Sequence, residues 1–239
     1  MEASVNSAGN APVFLRAEWR KLMIVNYAVL GDLLGEYIPH HTEPDLFNGN
    51  CLVSLVGFRF INTKLKGIPV PFHRNFTEVN LRFYVRRNLP GGICRRGVVF
   101  IREIVPLPAL SLVANLVYGE HYETRPVRHE LASEAGAISV AYEWKKKAKH
   151  RISVVAENNA EEIKPFSAEE FITEHYWGYT KLRGNKTAEY AVEHERWKSY
   201  PVKEYEVKVD FGLSYGKKFA FLSGEKPVSV MLAEGSEII

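Results

Sequence analysis

Cysteine is scarce in this chain, with two residues among 239. Cys51 lies in an apolar stretch and Cys94 near a turn, so the pair makes neither a disulfide framework nor a metal cluster. The chain also lacks an apolar run of about 18 residues or more, and its first dozen residues lack the basic and apolar regions of a signal peptide. These absences predict a cytoplasmic protein with no membrane partner.

An excess of either charge is also lacking, because 31 lysines and arginines stand against 28 acidic residues, a net charge of +3 at pH 7. With no arginine-rich or aromatic RNA-binding motif, we expect no nucleic-acid partner. Glycine-rich phosphate loops and nucleophile elbows are missing. His40 and His41, with Glu43 and Asp45 nearby, lack the spacing of a known metal site. The sequence therefore predicts a small-molecule ligand, without a metal or cofactor.

The order of the predicted elements indicates the fold class. Residues 1–11 are rich in Ser, Asn and Ala and predict a disordered tail, whereas residues 12–239 show no break and predict one domain. About ten strands and three short helices follow one another in strand-after-strand order. This order predicts a mainly β fold, specifically a closed or nearly closed antiparallel barrel resembling a cone.

Helix signals stand out at two places. Pro108 and Gly119 bracket apolar residues at helical spacing. Ser167 and Glu170 form a capping box, with Phe166 and Phe171 at the positions of a hydrophobic staple, and they predict a helix over 167–177. Strands are predicted over 192–197, 202–211, 218–222 and 228–232.

A row of polar side chains lies between two apolar strands. Residues 51–61 and 97–105 are apolar on both faces, whereas residues 76–87 alternate. One face of the alternating strand carries Glu78, Asn80, Arg82, Tyr84 and Arg86. Strands with two apolar faces are buried on both sides, and connected strands are usually neighbours. The row is therefore predicted to face a lumen or a subunit interface.

These residue types suit a pocket for an anion or a carbonyl compound. Arginine offers a planar fork to a carboxylate, tyrosine and asparagine donate to a carbonyl oxygen, and a buried glutamate with a raised pKa can transfer protons. The alternative is a solvated strand face or a structural ion-pair network. Arg102 and Glu103 point to opposite faces of their strand, and we expect Arg102 to share the lumen with the row.

Four stretches resemble a known family: WRKLMIVNY at 19–27, VSLVGFRF at 53–60, NFTEVNLRFYVR at 75–86 and RRGVVFIREIVP at 95–106. They are similar to the YqjF-like family of uncharacterised bacterial proteins, which distantly resembles acetoacetate decarboxylase. The resemblance implies a β-barrel or cone with a buried site in its lumen. The decarboxylase forms a Schiff base through a lysine that follows an Arg-Glu dipeptide. Here no lysine follows Arg102-Glu103 closely, so Schiff-base decarboxylation is not expected.

The resemblance also places His73 about where the decarboxylase has a glutamate and Arg20 about where it has an arginine. Three functional hypotheses result. The first is a binding protein whose ligand contacts Arg20, His73, Glu78, Asn80, Arg82, Tyr84 and Arg102. The second is an enzyme that uses Glu78 or His73 for acid-base chemistry on a small keto or carboxylic acid. The third is a structural protein whose polar row lies in a homo-oligomer interface, because the related decarboxylase is oligomeric.

Overall fold

A computed structural model describes residues 13–239, apart from the side chains of residues 117 and 118, so the predicted tail over 1–11 lies outside the described residues. The described chain is mainly β, which confirms the predicted class. Its strands are β1 (Leu15–Val29), β2 (Glu43–Pro44), β3 (Leu46–Phe47), β4 (Asn50–Leu65), β5 (Ile68–Pro69), β6 (Phe76–Asn88), β7 (Cys94–Val105), β8 (Tyr122–Thr124), β9 (Val127–Glu134), β10 (Ala137–Lys146), β11 (Ala148–Glu157), β12 (Glu161–Glu162), β13 (Trp177–Leu182), β14 (Lys186–Ala191), β15 (Lys198–Tyr200), β16 (Val202–Lys208) and β17 (Ser229–Ile238).

The helices are short. The α-helices are α1 (Pro108–Val113), α2 (Ala168–Thr173) and α3 (Phe211–Tyr215). Short segments of other helix types cover Gly31–Leu34, Pro90–Gly92, Ala114–Tyr118 and Lys217–Ser223. No helix within residues 13–239 is long and apolar enough to cross a bilayer.

The strands form two sheets. The main sheet has the order β12-β15-β17-β1-β4-β6-β7-β13-β14, with β2, β3, β5 and β8 paired at its margins, and the second has the order β16-β11-β10-β9. The predicted adjacency of the three central strands β4, β6 and β7 is confirmed, and both pairs are antiparallel. The main sheet is mixed, because β8 and β13 each pair with β7 in parallel. Its end strands β12 and β14 do not pair, so closure into a barrel is not confirmed.

The two faces of the main sheet have different neighbours. The face that we call convex packs Leu55, Leu81 and Phe83 into one apolar core with residues of the second sheet. Gly57 is required there, because a Cβ at this position would lie 2.5 Å from the ring of Tyr142 in β10. The opposite face, which we call concave, packs a separate core that includes Trp197.

Residues 192–197 run along the edge of β17, and Val192 and Trp197 pack against the core of the concave face. Glu193 exchanges two backbone hydrogen bonds with Ile239, and His194 forms a single bridge to Ile238, so the chain passes from β14 back to β17. The Trp197 indole donates to Ser236 Oγ at 3.0 Å and packs edge-on against Trp19. The predicted strand over 192–197 was therefore wrong beyond that one bridge, because the segment runs along the edge of β17 in the register of β15 without forming a continuous ladder.

The other local predictions had mixed outcomes. The helix stop at Gly119 is confirmed, since this residue adopts φ 69° after the helical segment. The Ser167 cap is also confirmed, because Ser167 Oγ accepts from the Glu170 amide at 3.1 Å. The helix ends at Thr173 and not at 177, however, because β13 begins at Trp177 and pairs with β7. The staple was wrong, since Phe166 is 94% exposed.

The predicted strand over 218–222 was also wrong. These residues lie in the helical segment Lys217–Ser223, which packs against α3. Phe219 and Leu222 are buried in that segment. Their separation of three residues puts both side chains on one side of a tight helix, a spacing that a short apolar run does not distinguish from a strand.

Candidate functional site

The predicted polar row lies on the concave face and is buried within a single chain. Glu78 is 2% exposed, Asn80 1%, Arg82 6% and Tyr84 2%. Arg86, the last member, is exposed and pairs with Glu43. A solvated strand face is thus excluded for the first four residues. Their burial also needs no second subunit to cover them.

Strand pairing places the row among apolar neighbours. In β4, Phe58 pairs with Glu78, and Val56 pairs with Asn80. Both β4 residues are buried in the core of the concave face. Charged groups in such surroundings lose hydration, so their ionisation depends on the few polar partners that the fold supplies.

A bulge in β7 decides which acidic or basic side chain joins the row. Arg82 pairs with Phe100 but Leu81 pairs with Arg102, so Ile101 is an extra residue and the alternation shifts. Glu103 consequently pairs with Asn80 and faces the concave side. The expectation that Arg102 shares this face was wrong.

Arg102 has partners on the convex side instead. Its guanidinium donates to the Ser214 carbonyl at 2.5 Å and lies 3.5 Å from the Glu123 carboxylate. Both contacts tie β7 to α3 and β8. Arg102 therefore has a structural role in this fold.

Three further side chains complete the site. Tyr122 in β8 lies in register with Glu103, and Glu120 accepts a hydrogen bond from Thr180 at 2.7 Å. Tyr190 is 41% exposed as a residue, but its hydroxyl end lies against buried Gly178, where an added Cβ would be 2.5 Å from that oxygen. We use the name polar cluster for the set Glu78, Asn80, Arg82, Glu103, Glu120, Tyr122 and Tyr190.

The carboxyl groups of the polar cluster hold their protons unusually tightly. Burial raises the pKa of Glu78 to about 7, although the Asn80 hydrogen bond and the Arg82 charge oppose the change. Burial also raises the pKa of Glu103 well above its ordinary value, and the charges of Glu78 and Glu120 add to the effect. The pKa of Glu120 is raised by burial as well. The charges of these carboxyls act on one another, so the protonation of each depends on the others.

Several buried polar atoms of the cluster have no hydrogen-bond partner within residues 13–239. They are Glu78 Oε2, Asn80 Oδ1, Glu103 Oε2 and Arg82 Nε, with the Tyr122 hydroxyl as the neighbouring donor of the two carboxyls. Glu78 Oε1 accepts from Asn80 Nδ2 at 2.9 Å. Buried polar groups are nearly always satisfied in native proteins, so a group of unsatisfied atoms at one place marks a candidate ligand site.

Arg82 is the most unusual member. Among the described side chains it forms no ion pair or hydrogen bond, and its buried Nε has no partner. Its charge acts on Glu78, and its Cζ lies 5.9 Å from the centroid of the Tyr84 ring. The Tyr84 hydroxyl is already used, because it is 2.7 Å from Ser54 Oγ. The structural ion-pair network considered from the sequence is therefore not formed at Arg82.

Arg20 and His73 are not brought to the polar cluster. Arg20 pairs in register with Arg59, on the side away from Glu78, and makes ion pairs with Glu18 and Glu234. His73 lies in the loop before β6, where its Nδ1 is 2.8 Å from the Pro71 carbonyl oxygen. Neither placement supports a role for these two residues in the same site.

A cavity of about 250 Å³ lies beside β7, and no residue of the polar cluster lines it. Its lining residues are Glu36, Tyr37, Val99, Phe100, His121, Thr180 and Lys181. It lies where β7 is unpaired between its contact with β13 at 97–98 and its contact with β8 at 103–105. Two of its lining residues have partners in the cluster, because Phe100 is the register partner of Arg82 and Thr180 donates to Glu120.

Sequence reasoning missed Glu103, Glu120, Tyr122 and Tyr190. The sequence contained a signal for two of them. Glu120 and Tyr122 alternate directly after the helix stop at Gly119, a pattern that predicts a short strand with both side chains on one face. Tyr190 belongs to a strand that was not predicted, and its approach to Gly178 comes from strand pairing.

Comparisons with known proteins agree with this architecture. The model of DUF2071, a family of uncharacterized conserved proteins, matches residues 16–237. The uncharacterized protein YqjF of Bacillus subtilis is 26% identical over 189 residues, which are 77% of this chain and 74% of YqjF.

Among solved structures, acetoacetate decarboxylase from Legionella pneumophila has a TM-score of 0.60 at 13% identity, with 100% of this chain and 94% of that chain covered. The enduracididine biosynthesis enzyme MppR, complexed with the condensation product of pyruvate and imidazole 4-carboxaldehyde, has a TM-score of 0.60 at 13% identity, with 98% and 89% covered. At such low identity, the likeness shows the fold alone. Because the family model spans nearly the whole chain, this protein belongs to the DUF2071 family, and its fold is similar to that of acetoacetate decarboxylase.

Proposed function

We propose that this protein binds a small molecule with a carboxylate or carbonyl group in the polar cluster. The observation that carries the proposal is the buried Arg82, which has no ion-pair partner within residues 13–239. An arginine stays charged at any physiological pH, and a buried charge without a partner is costly. A ligand carboxylate would supply the missing partner and match the planar fork of the guanidinium.

The neighbouring groups suit a carbonyl oxygen. A carboxyl group that holds its proton donates a hydrogen bond, and burial raises the pKa of both Glu78 and Glu103. The Tyr122 hydroxyl lies beside both of them. The solved MppR structure contains a condensation product of pyruvate, which makes small 2-oxo acids the first probes to use.

Replacement of Arg82 tests the proposal. We expect Arg82→Met to weaken the binding of small carboxylates at least tenfold, because methionine keeps an apolar stem but removes the guanidinium. Binding of pyruvate, acetoacetate and a panel of related acids is measured by isothermal titration calorimetry. Arg86→Met is the matched control, because Arg86 lies on the same strand but is exposed. Equal affinity of the wild type and Arg82→Met for every acid that binds would contradict the proposal.

Acid-base catalysis is the second candidate function, and the pKa of Glu78 favours it. A carboxyl with a pKa of about 7 can both accept and donate a proton at neutral pH. His73 is not a candidate carrier, because it lies in the loop before β6. None of the seven side chains of the polar cluster is a lysine, so the proposed chemistry involves no imine.

Glu78→Gln distinguishes catalysis from binding alone. If the protein is an enzyme, we expect this variant to lower kcat at least 100-fold, with a small change in KM, because the amide retains the shape but transfers no proton. Substrates are sought by incubation with metabolite mixtures and mass spectrometry. Glu225→Gln, at an exposed position, is the control. Full turnover by Glu78→Gln would rule out Glu78 as the proton carrier.

A further inference from the structure

The unsatisfied atoms of the polar cluster are mostly acceptors. Among the described residues, Asn80 Oδ1 has no donor, Glu78 Oε2 and Glu103 Oε2 have no neighbouring donor other than the Tyr122 hydroxyl, and Arg82 Nε is the unsatisfied donor of the cluster. When the carboxyls are ionised, a ligand with only a carboxylate and a carbonyl would add further acceptors to this place. The composition of the cluster therefore favours a ligand with a second group that donates hydrogen bonds.

The three acceptors are neighbours. Asn80 and Glu103 are directly paired across β6 and β7, which brings their Cβ atoms to roughly 5 Å of each other. Glu78 lies one position further along the same face of β6 and binds the Asn80 amide. All three residues are at most 3% exposed. They form one group of hydrogen-bond acceptors beside Arg82 and are not three isolated unsatisfied atoms.

We infer that the ligand carries an ammonium group next to its carboxylate, with the ammonium held by Glu78, Asn80 and Glu103 and the carboxylate by Arg82. An ammonium brings three N–H donors, which matches the three free acceptor atoms. This inference rests on the proposed function and narrows the ligand class to small zwitterionic amino acids.

Binding of a zwitterion is expected to change the protonation of the polar cluster. The cluster holds three carboxyl groups, and burial raises the pKa of each of them. A zwitterion has no net charge, but its ammonium beside Glu78 and Glu103 would favour their ionised form, so binding would release protons to the solvent.

Matched pairs of acids test the inference. Isothermal titration calorimetry at pH 7.5 compares pyruvate with alanine, 2-oxobutyrate with 2-aminobutyrate, and 2-oxoglutarate with glutamate. We expect the amino acid of at least one pair to bind at least tenfold more tightly than its oxo acid. Glu103→Gln should weaken the binding of that amino acid at least tenfold and change the affinity for the oxo acid less than threefold. Glu225→Gln should change neither affinity. Titration in buffers of different ionisation enthalpy should show proton release.

The outcomes separate this inference from the proposed function. Tighter binding of the oxo acids, lost in Arg82→Met, would overturn the ammonium site and leave the proposed function standing. Amino-acid binding that Glu103→Gln does not change would also overturn it. No saturable binding by any member of the three pairs would count against both. Glu120→Gln serves as a second charge-removing variant if Glu103→Gln does not fold.

Discussion

The Glu78→Gln variant is expected to be more stable than the wild type at pH 8, by about 3 kcal/mol, and to differ little from it at pH 4.5. Burial raises the pKa of Glu78 from 4.5 to about 7 in the folded protein. Each unit of such a difference corresponds to about 1.4 kcal/mol. The folded state therefore binds more protons than the unfolded state between these two pH values, and its stability falls as the pH rises through that window.

Glutamine removes this loss because it has no proton to release. It can still accept the Asn80 amide hydrogen bond that Glu78 Oε1 accepts. The free energy of unfolding is measured by chemical denaturation at several pH values between 4.5 and 8. Glu225→Gln, at an exposed position, should follow the wild type throughout. A wild-type stability that rises with pH in parallel with that of Glu78→Gln would show that Glu78 ionises normally.

The Gly235→Ala variant is expected to lose about 4 kcal/mol of stability. Gly235 has φ +81°, and a Cβ there would lie 2.0 Å from the Trp19 carbonyl oxygen and 2.8 Å from Leu22 Cδ1. It pairs with Arg20 beside the bulge of β1. Alanine therefore adds both backbone strain and a clash that separates β1 from β17.

Gly67→Ala separates the two causes. Gly67 has nearly the same φ, +79°, but no atom lies within 4 Å of an added Cβ. Its substitution should therefore cost only the backbone strain, about 1 kcal/mol. Stability is measured by denaturant titration of both variants. Equal losses of stability in the two variants would show that the clash with Trp19 does not contribute to the free energy of unfolding.

The sequence by itself determined the mainly β class and the strand that carries the site. Alternation over 76–87 placed Glu78, Asn80 and Arg82 on one face, and two doubly apolar neighbours implied that this face is buried. Local chemistry likewise determined the Ser167 cap and the helix stop at Gly119. Such features depend on the periodicity of a strand and on contacts between residues close in sequence.

Only the tertiary structure decided how the site is completed. The extra residue Ile101 in β7 turned Glu103 and not Arg102 toward Asn80, and a bulge leaves no fixed mark in the amino-acid pattern. Tyr190 reaches the site because β14 joins the sheet beyond a parallel pair between β13 and β7. The balance of carboxyl groups, arginine and free acceptors depends on these long-range pairings, which neither composition nor periodicity encodes.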